Sequence, residues 1–104
     1  MSVTSKRIRE TDIYARWFDG LRDQRAKAKI DIRIRRLSLG NPGDVKSAGG
    51  GVSELRIDYG PGYRIYYAAR GLEIMLLLVG GDKRSQQRDI MLARELAANW
   101  SLDR

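Results

Sequence analysis

The chain has 104 residues, of which 42% are hydrophobic, and these values predict one globular domain with a modest core. It has no cysteine and no histidine, which excludes disulfide frameworks, thiol chemistry, histidine-based nucleases and His-ligated zinc enzymes. Twenty basic against thirteen acidic residues give a net charge of +7, which favours a polyanionic partner over a basic surface with no specific target. Because no segment resembles a signal peptide or a membrane span, we expect a cytoplasmic protein that contacts no membrane.

The first half of the chain predicts a short strand or extended arm at residues 5–9, followed by two helices. Thr11 is a residue type that caps helices, and Ile13, Trp17 and Leu21 recur at helical spacing, so we expect an amphipathic helix with an aromatic core face. Residues 23–39 fit both a helical stripe and a strand-like alternation. Their length, their alanine and basic content and the following Gly40 favour a helix. Its buried stripe would be Ala26, Ile30, Ile34 and Leu37, and its exposed face would carry Arg25, Lys27 or Lys29, Arg33, Arg35 and Arg36.

The second half predicts an antiparallel meander and a closing helix. Strands are expected at residues 44–48, 52–58, 63–69 and 72–79, with glycine-containing turns between them. The last strand is an almost continuous apolar run, which is typical of a strand buried on both faces, and the pair Gly80-Gly81 is expected to end it. Ser85 would cap a final helix that runs to Trp100. The predicted fold class is therefore α+β, a small antiparallel meander sheet with two N-terminal helices and a C-terminal helix in one domain, 1–104.

Cationic side chains are carried by several of these elements near the ends of the strands. Arg56, Arg64 and Lys83 belong to three different elements, and the ends of adjacent strands meet in a meander. We therefore expect them to converge, together with Lys46, on one concave edge that binds RNA phosphates and offsets the charge of a phosphorane-like transition state. Separate surface ion pairs with Glu54, Asp58 or Asp82 are the alternative.

The order of elements, with the segments ELRIDYGPGYRIYY, EIMLLLVGG and DKRSQQRDI, resembles the RelE/ParE superfamily of toxins from bacterial type II toxin–antitoxin modules. The resemblance covers nearly the whole chain and is closest to the HigB-like addiction module killer protein branch. It implies a RelE-like fold and a metal-independent, ribosome-dependent endoribonuclease that cuts mRNA and inhibits translation. The 2′-hydroxyl of the RNA itself would attack the adjacent phosphate, so the resemblance implies no cofactor. It also implies a cognate antitoxin, a helix-turn-helix protein in this branch, and leaves the oligomeric state open.

The same resemblance suggests roles for individual residues. Arg64 is the arginine of the Gly-Tyr-Arg strand and would contact the scissile phosphate, while Arg56 matches the basic position on the preceding strand. Either Lys83 or Arg84 matches the basic position after the last strand, and Lys46 corresponds loosely to an upstream basic residue. The expected catalytic residues are Arg56, Arg64 and Lys83, and the expected RNA-binding residues are Lys46, Arg84 and Arg88.

The general base stays open at the level of sequence, because the final helix lacks the tyrosine that several family members place near the catalytic edge. The candidates are Lys46, Lys83 and Asp89. Two other functions remain as alternatives. One is a ParE-like inhibitor of DNA gyrase on the same fold, and the other is a nucleic-acid-binding module without catalysis.

Overall fold

The computed structural model describes residues 5–100 and shows a five-stranded sheet with helices on both faces. The elements in chain order are β1 (Arg7–Glu10), α1 (Asp12–Asp19), α2 (Gln24–Ser38), β2 (Val45–Gly49), β3 (Val52–Ile57), β4 (Tyr63–Arg70), β5 (Ile74–Asp82), a single 3₁₀ turn (Lys83–Ser85) and α3 (Gln86–Asn99). The strand order is β1-β5-β4-β3-β2, in which β2 to β5 form an antiparallel meander and β1 pairs parallel with β5. The predicted α+β class is confirmed, and the short first strand is part of the sheet.

The two faces of the sheet carry separate hydrophobic cores. Helices α1 and α2 cover one face, where the buried side chains include Tyr14, Ile30, Leu37, Leu55 and Ile65. Helix α3 covers the other face, where Val52, Tyr66, Leu76, Leu78 and Ala93 are buried. Because side chains alternate along a strand, the even-numbered residues of β3 and the residues paired with them face α3. Glu54, Arg56 and Arg64 lie on that face.

The start of α1 is fixed to the sheet through Thr11, as the predicted N-cap. The Thr11 hydroxyl accepts a hydrogen bond from the Tyr14 N–H at 3.0 Å and donates one to the Leu78 carbonyl at 2.6 Å. The predicted core stripe was wrong at one position, because Ile13 is 38% exposed and the neighbouring Tyr14 is buried. The tether to β5 sets the rotation of the helix, and this tertiary contact overrides the simple i, i+4 pattern.

Residues 24–38 form the predicted helix rather than a strand, and Asp23 caps it by accepting from the N–H groups of Arg25 and Ala26. All four predicted stripe residues are buried: Ala26, Ile30, Ile34 and Leu37. Ile32, which produced the strand-like alternation in the sequence, lies on the solvent side and is 51% exposed. The helical period therefore decided the structure of this segment.

The expectation that Gly80-Gly81 ends the fifth strand is wrong, since β5 continues through both glycines to Asp82. A Cβ atom on Gly80 would lie 2.1 Å from the Trp17 ring, and one on Gly81 would lie 1.9 Å from Asp89 Oδ2. These two glycines therefore allow an indole on one face and a carboxylate on the other to approach the strand backbone.

Ser85 is the residue before α3, as predicted, but it does not cap the helix in the expected way. The Ser85 side chain makes no capping bond to the helix, and its hydroxyl instead donates to Asp89. Asp82 caps the 3₁₀ turn before the helix by accepting from the Arg84 N–H at 2.9 Å. The helix ends at Asn99, and Trp100 beyond it still packs against the core. Among residues 5–100, no helix is long and apolar enough to cross a membrane.

The contact between Trp17 and Gly80 yields a stability prediction. Gly80→Ala places a methyl group inside the indole, and we expect this overpacking to lower the free energy of unfolding by about 1–3 kcal/mol. The measurement is urea unfolding of the wild type and the variant. In a Trp17→Ala background the same substitution should cost much less, because the obstructing ring is gone. An equal cost in both backgrounds would contradict the packing role given to Gly80.

Candidate functional site

The strand register brings the predicted cations together. Arg56 on β3 lies directly opposite Arg64 on β4, and Arg64 lies opposite Gly81 on β5, two residues before Lys83. Arg56, Arg64 and Lys83 line one cleft of about 240 Å³, together with Gly62, Asp44 and Asp58. We call this the arginine cleft. The predicted convergence of these three side chains is thus a feature of the structure, whereas their catalytic role stays a prediction.

The cross-strand pairing of Arg56 with Arg64 is unusual for a β-sheet, because both side chains are positively charged. Like charges directly opposite each other on neighbouring strands repel, so the pairing alone destabilises the sheet. Local rules of this kind are broken mainly at functional or strained sites. The opposed arginines therefore mark this end of the sheet as a candidate anion site.

Arg64 is held firmly at the floor of the cleft. Its Nη1 atom donates to the backbone carbonyls of Gly62 and Tyr63, each at 3.2 Å. Its Nε atom lies 3.7 Å from Glu54 Oε2, and the residue is only 6% exposed. The alternative of ion pairing with Glu54 is therefore realised for this arginine, but as a buried pair within the cleft wall rather than a surface bridge.

Glu54 is a site residue that the sequence did not reveal. Its carboxylate is 2% exposed and accepts hydrogen bonds from the Tyr66 hydroxyl at 3.1 Å and from Gln86 Nε2 at 2.7 Å. Burial, followed by the nearby Glu54 charge, raises the pKa of Tyr66 above its usual value, so the phenol stays protonated and donates. Glu54 therefore connects β3, β4 and α3 beneath Arg64.

Arg56 and Lys83 form the more open walls of the arginine cleft. Arg56 is half-buried, and its carbonyl accepts a hydrogen bond from Arg33 Nη1 at 2.7 Å. Arg33 was expected among the exposed charges, but it is half-buried and also donates to the Pro42 carbonyl at 3.1 Å. Lys83 is exposed and lies beside Gly62, whose φ of +79° and lack of a side chain keep the space between Lys83 and Arg64 open.

The three residues that were predicted to bind RNA do not line the arginine cleft. Lys46 is exposed on β2 opposite Glu54. Arg84 and Arg88 line a second cleft of about 460 Å³, together with Trp17 and Gly80. We call this the Trp17 cleft. The predicted set of six cations is therefore divided between two neighbouring clefts and the edge of β2.

The candidates for a general base separate in the same way. Lys83 lies at the arginine cleft, whereas Asp89 is buried at the Trp17 cleft and Lys46 lines neither of them. Two further proton acceptors, Asp44 and Asp58, are exposed and line the arginine cleft. Within residues 5–100 no group of three or more His, Cys, Asp or Glu side chains is arranged to hold a metal ion.

The ion pair of Glu54 and Arg64 leads to a second prediction. Glu54→Leu leaves the Arg64 charge buried without a counter-ion, so we expect the free energy of unfolding to fall by about 3–5 kcal/mol. Adding Arg64→Met should restore part of that loss, because no uncompensated charge remains. Urea unfolding of the four members of this cycle measures the coupling. Losses that simply add would show that the two side chains do not depend on each other.

Comparisons with known proteins assign the chain to a family. A family model described as "Phage derived protein Gp49-like (DUF891)" matches residues 16–97. An uncharacterized protein of Haemophilus influenzae is 46% identical over 95 residues, which covers 91% of this chain and 96% of that relative. The Gp49-like family is a RelE-type toxin–antitoxin family, so the resemblance is confirmed at that level, and the HigB-like branch stays a prediction. The chain belongs to the Gp49-like family of toxin–antitoxin proteins.

Proposed function

We propose that the protein is the toxin of a type II toxin–antitoxin module and cleaves mRNA on the ribosome as a metal-independent endoribonuclease of the HigB-like branch. The observation that carries this proposal is the register that sets Arg56 opposite Arg64, with Lys83 across the same cleft. Three cations around one small cavity suit a phosphate that gains charge during the reaction. Membership of a toxin–antitoxin family supports the toxin–antitoxin part of the proposal.

In the proposed reaction the RNA supplies its own nucleophile. The 2′-oxygen forms a bond to the adjacent phosphorus while the bond from phosphorus to the 5′-oxygen breaks, leaving a 2′,3′-cyclic phosphate and a 5′-hydroxyl. Arg64 and Arg56 stabilise the developing charge on the nonbridging oxygens. The carboxylates of Asp44 and Asp58 are positioned in the cleft wall to accept the 2′-hydroxyl proton, and the Lys83 ammonium can give one to the leaving 5′-oxygen. The proton acceptor is thus a carboxylate and the proton donor an ammonium group, and both line the same cavity.

The proposed partners follow from the family and from the charge. A toxin–antitoxin family suggests a cognate antitoxin, for which we propose a helix-turn-helix protein, and mRNA on the ribosome is the proposed substrate. The net charge of +7 favours association with both an acidic antitoxin segment and RNA. The expected compartment is the cytoplasm, where translation takes place.

A second candidate function is favoured by the burial of Arg64. Arg64 is 6% exposed, its Nε lies 3.7 Å from Glu54 Oε2, and its Nη1 donates to two backbone carbonyls, so part of its charge and donor capacity is used within the protein. That arrangement also suits a protein that acts by binding alone, whether to nucleic acid or, as a ParE-like inhibitor, to DNA gyrase. The experiment below separates these functions from RNA cleavage.

The test is brief induction in growing cells, followed by mapping of mRNA 5′ ends. We expect growth arrest and new 5′ ends inside reading frames with the wild type. Because loss of one transition-state cation costs about 100-fold or more in rate, both effects should nearly vanish with Lys83→Ala and with Arg64→Ala. Lys83 is exposed, so its variant separates catalysis from folding, which the buried Arg64 does not.

Arg25→Ala on the exposed face of α2 is the matched control, since it removes an arginine that lines neither cleft, and it should cleave like the wild type. Growth arrest with DNA damage and intact mRNA would contradict the nuclease function and favour inhibition of DNA gyrase. Arrest that persists in Lys83→Ala with unchanged new ends would remove the arginine cleft from the mechanism.

A further inference from the structure

The Trp17 cleft is larger than the arginine cleft and is not used by the reaction described above. It lies beside the end of β5, where the partner strand β1 has already stopped opposite Leu77. Its floor is the backbone of Gly80 and Gly81, and its walls come from α1 and the start of α3. The cleft therefore combines an accessible strand end with side chains from two helices.

One wall of this cleft is aromatic. The Trp17 ring lies so close to the Gly80 backbone that any Cβ atom there would overlap it, and Tyr63 meets it edge-on at 6.1 Å between ring centroids. The indole is thus fixed in place, yet it stays partly exposed at the cleft. A fixed aromatic ring at an accessible surface is the element on which proteins stack single-stranded bases, at about 1–3 kcal/mol per base.

Two exposed arginines also line this cleft, and both have guanidinium N–H donors that are free to bind a ligand. The side chains of Arg84 and Arg88 are 88% and 82% exposed, and each makes a loose ion pair, at 3.6 Å to Asp82 and 3.8 Å to Asp89. Since a guanidinium has five N–H donors, both retain free donors for a phosphate.

The two carboxylates, in contrast, are engaged within the protein. Asp82 accepts from the Arg84 N–H, and Asp89 accepts from the Ser85 hydroxyl. Their charges reduce the local positive potential without occupying the exposed guanidinium groups.

We propose that the Trp17 cleft is a nucleotide subsite that holds one base and phosphate of the same single-stranded RNA whose scissile phosphate lies in the arginine cleft. The base packs against the Trp17 indole, and Arg84 and Arg88 contact its phosphate. The consecutive residues Lys83 and Arg84 line the arginine cleft and the Trp17 cleft respectively, so a strand that passes along the Lys83–Ser85 turn contacts both. The inference rests on the proposed function for the identity of the ligand.

The test uses the fluorescence of Trp17 in a Trp100→Phe background, because the chain has only these two tryptophans. The probe is a short 2′-O-methyl oligoribonucleotide, which binds but cannot be cleaved through a 2′-hydroxyl. We expect saturable quenching of Trp17 and about tenfold weaker binding in Arg84→Ala/Arg88→Ala. Arg25→Ala, which removes an arginine away from both clefts, should bind like the parent protein.

Two further probes separate base binding from mere attraction of charge. An abasic oligomer of the same length should bind more weakly without quenching, and an RNA duplex should not quench because its bases are already stacked. Equal quenching by either probe, or no quenching by the single strand, would overturn the subsite.

The fate of the subsite and that of the proposed function can be told apart. RNA cleavage without Trp17 quenching would leave the function standing and refute the subsite. Quenching by the single strand without any RNA cleavage would support the subsite and refute the proposed function.

Discussion

The buried carboxylate of Glu54 is the constraint on which the arginine cleft depends. Glu54 is 2% exposed, and a buried carboxylate is stable only if its charge is compensated. Here Oε2 accepts hydrogen bonds from Tyr66 and Gln86 and lies 3.7 Å from Arg64 Nε. Those partners belong to β4 and α3, so the network fixes the helix against the sheet at the place where Arg64 must be held. It also supplies the negative charge that offsets the repulsion between Arg56 and Arg64 in opposed register.

The point at which β5 ends decides where Lys83 and Arg84 lie. Because Gly80 and Gly81 leave room for Trp17 and Asp89, the strand runs on to Asp82 and the chain turns only there. The turn then presents Lys83 to the arginine cleft and Arg84 to the Trp17 cleft. Two residues without side chains thus allow one short turn to contribute to both clefts of the proposed RNA-binding surface.

Periodicity in the sequence was sufficient for most of the fold and part of the site. The stripe of α2, the meander and the proximity of Arg56, Arg64 and Lys83 follow from local patterns, because strand ends in a meander have to meet. Burial of Glu54 could not be predicted this way, since a charged residue alternating with Leu55 normally faces water, and only the docking of α3 covers it. Gly80-Gly81 was similarly misleading, because the reason for two glycines is the indole and the carboxylate packed against them, which come from distant parts of the chain.

In the proposed mechanism, the arginine cleft promotes attack by the 2′-hydroxyl of the RNA on its own phosphate. The most direct measurement compares cleavage on ribosomes programmed with an all-ribose mRNA and with the same mRNA carrying a single 2′-deoxy nucleotide at the cleaved position. This mechanism predicts a 2′,3′-cyclic phosphate and a 5′-hydroxyl from the first mRNA and no cleavage at that position in the second. Cleavage that continues at the 2′-deoxy position would contradict it, because the nucleophile would then have to come from water or the protein.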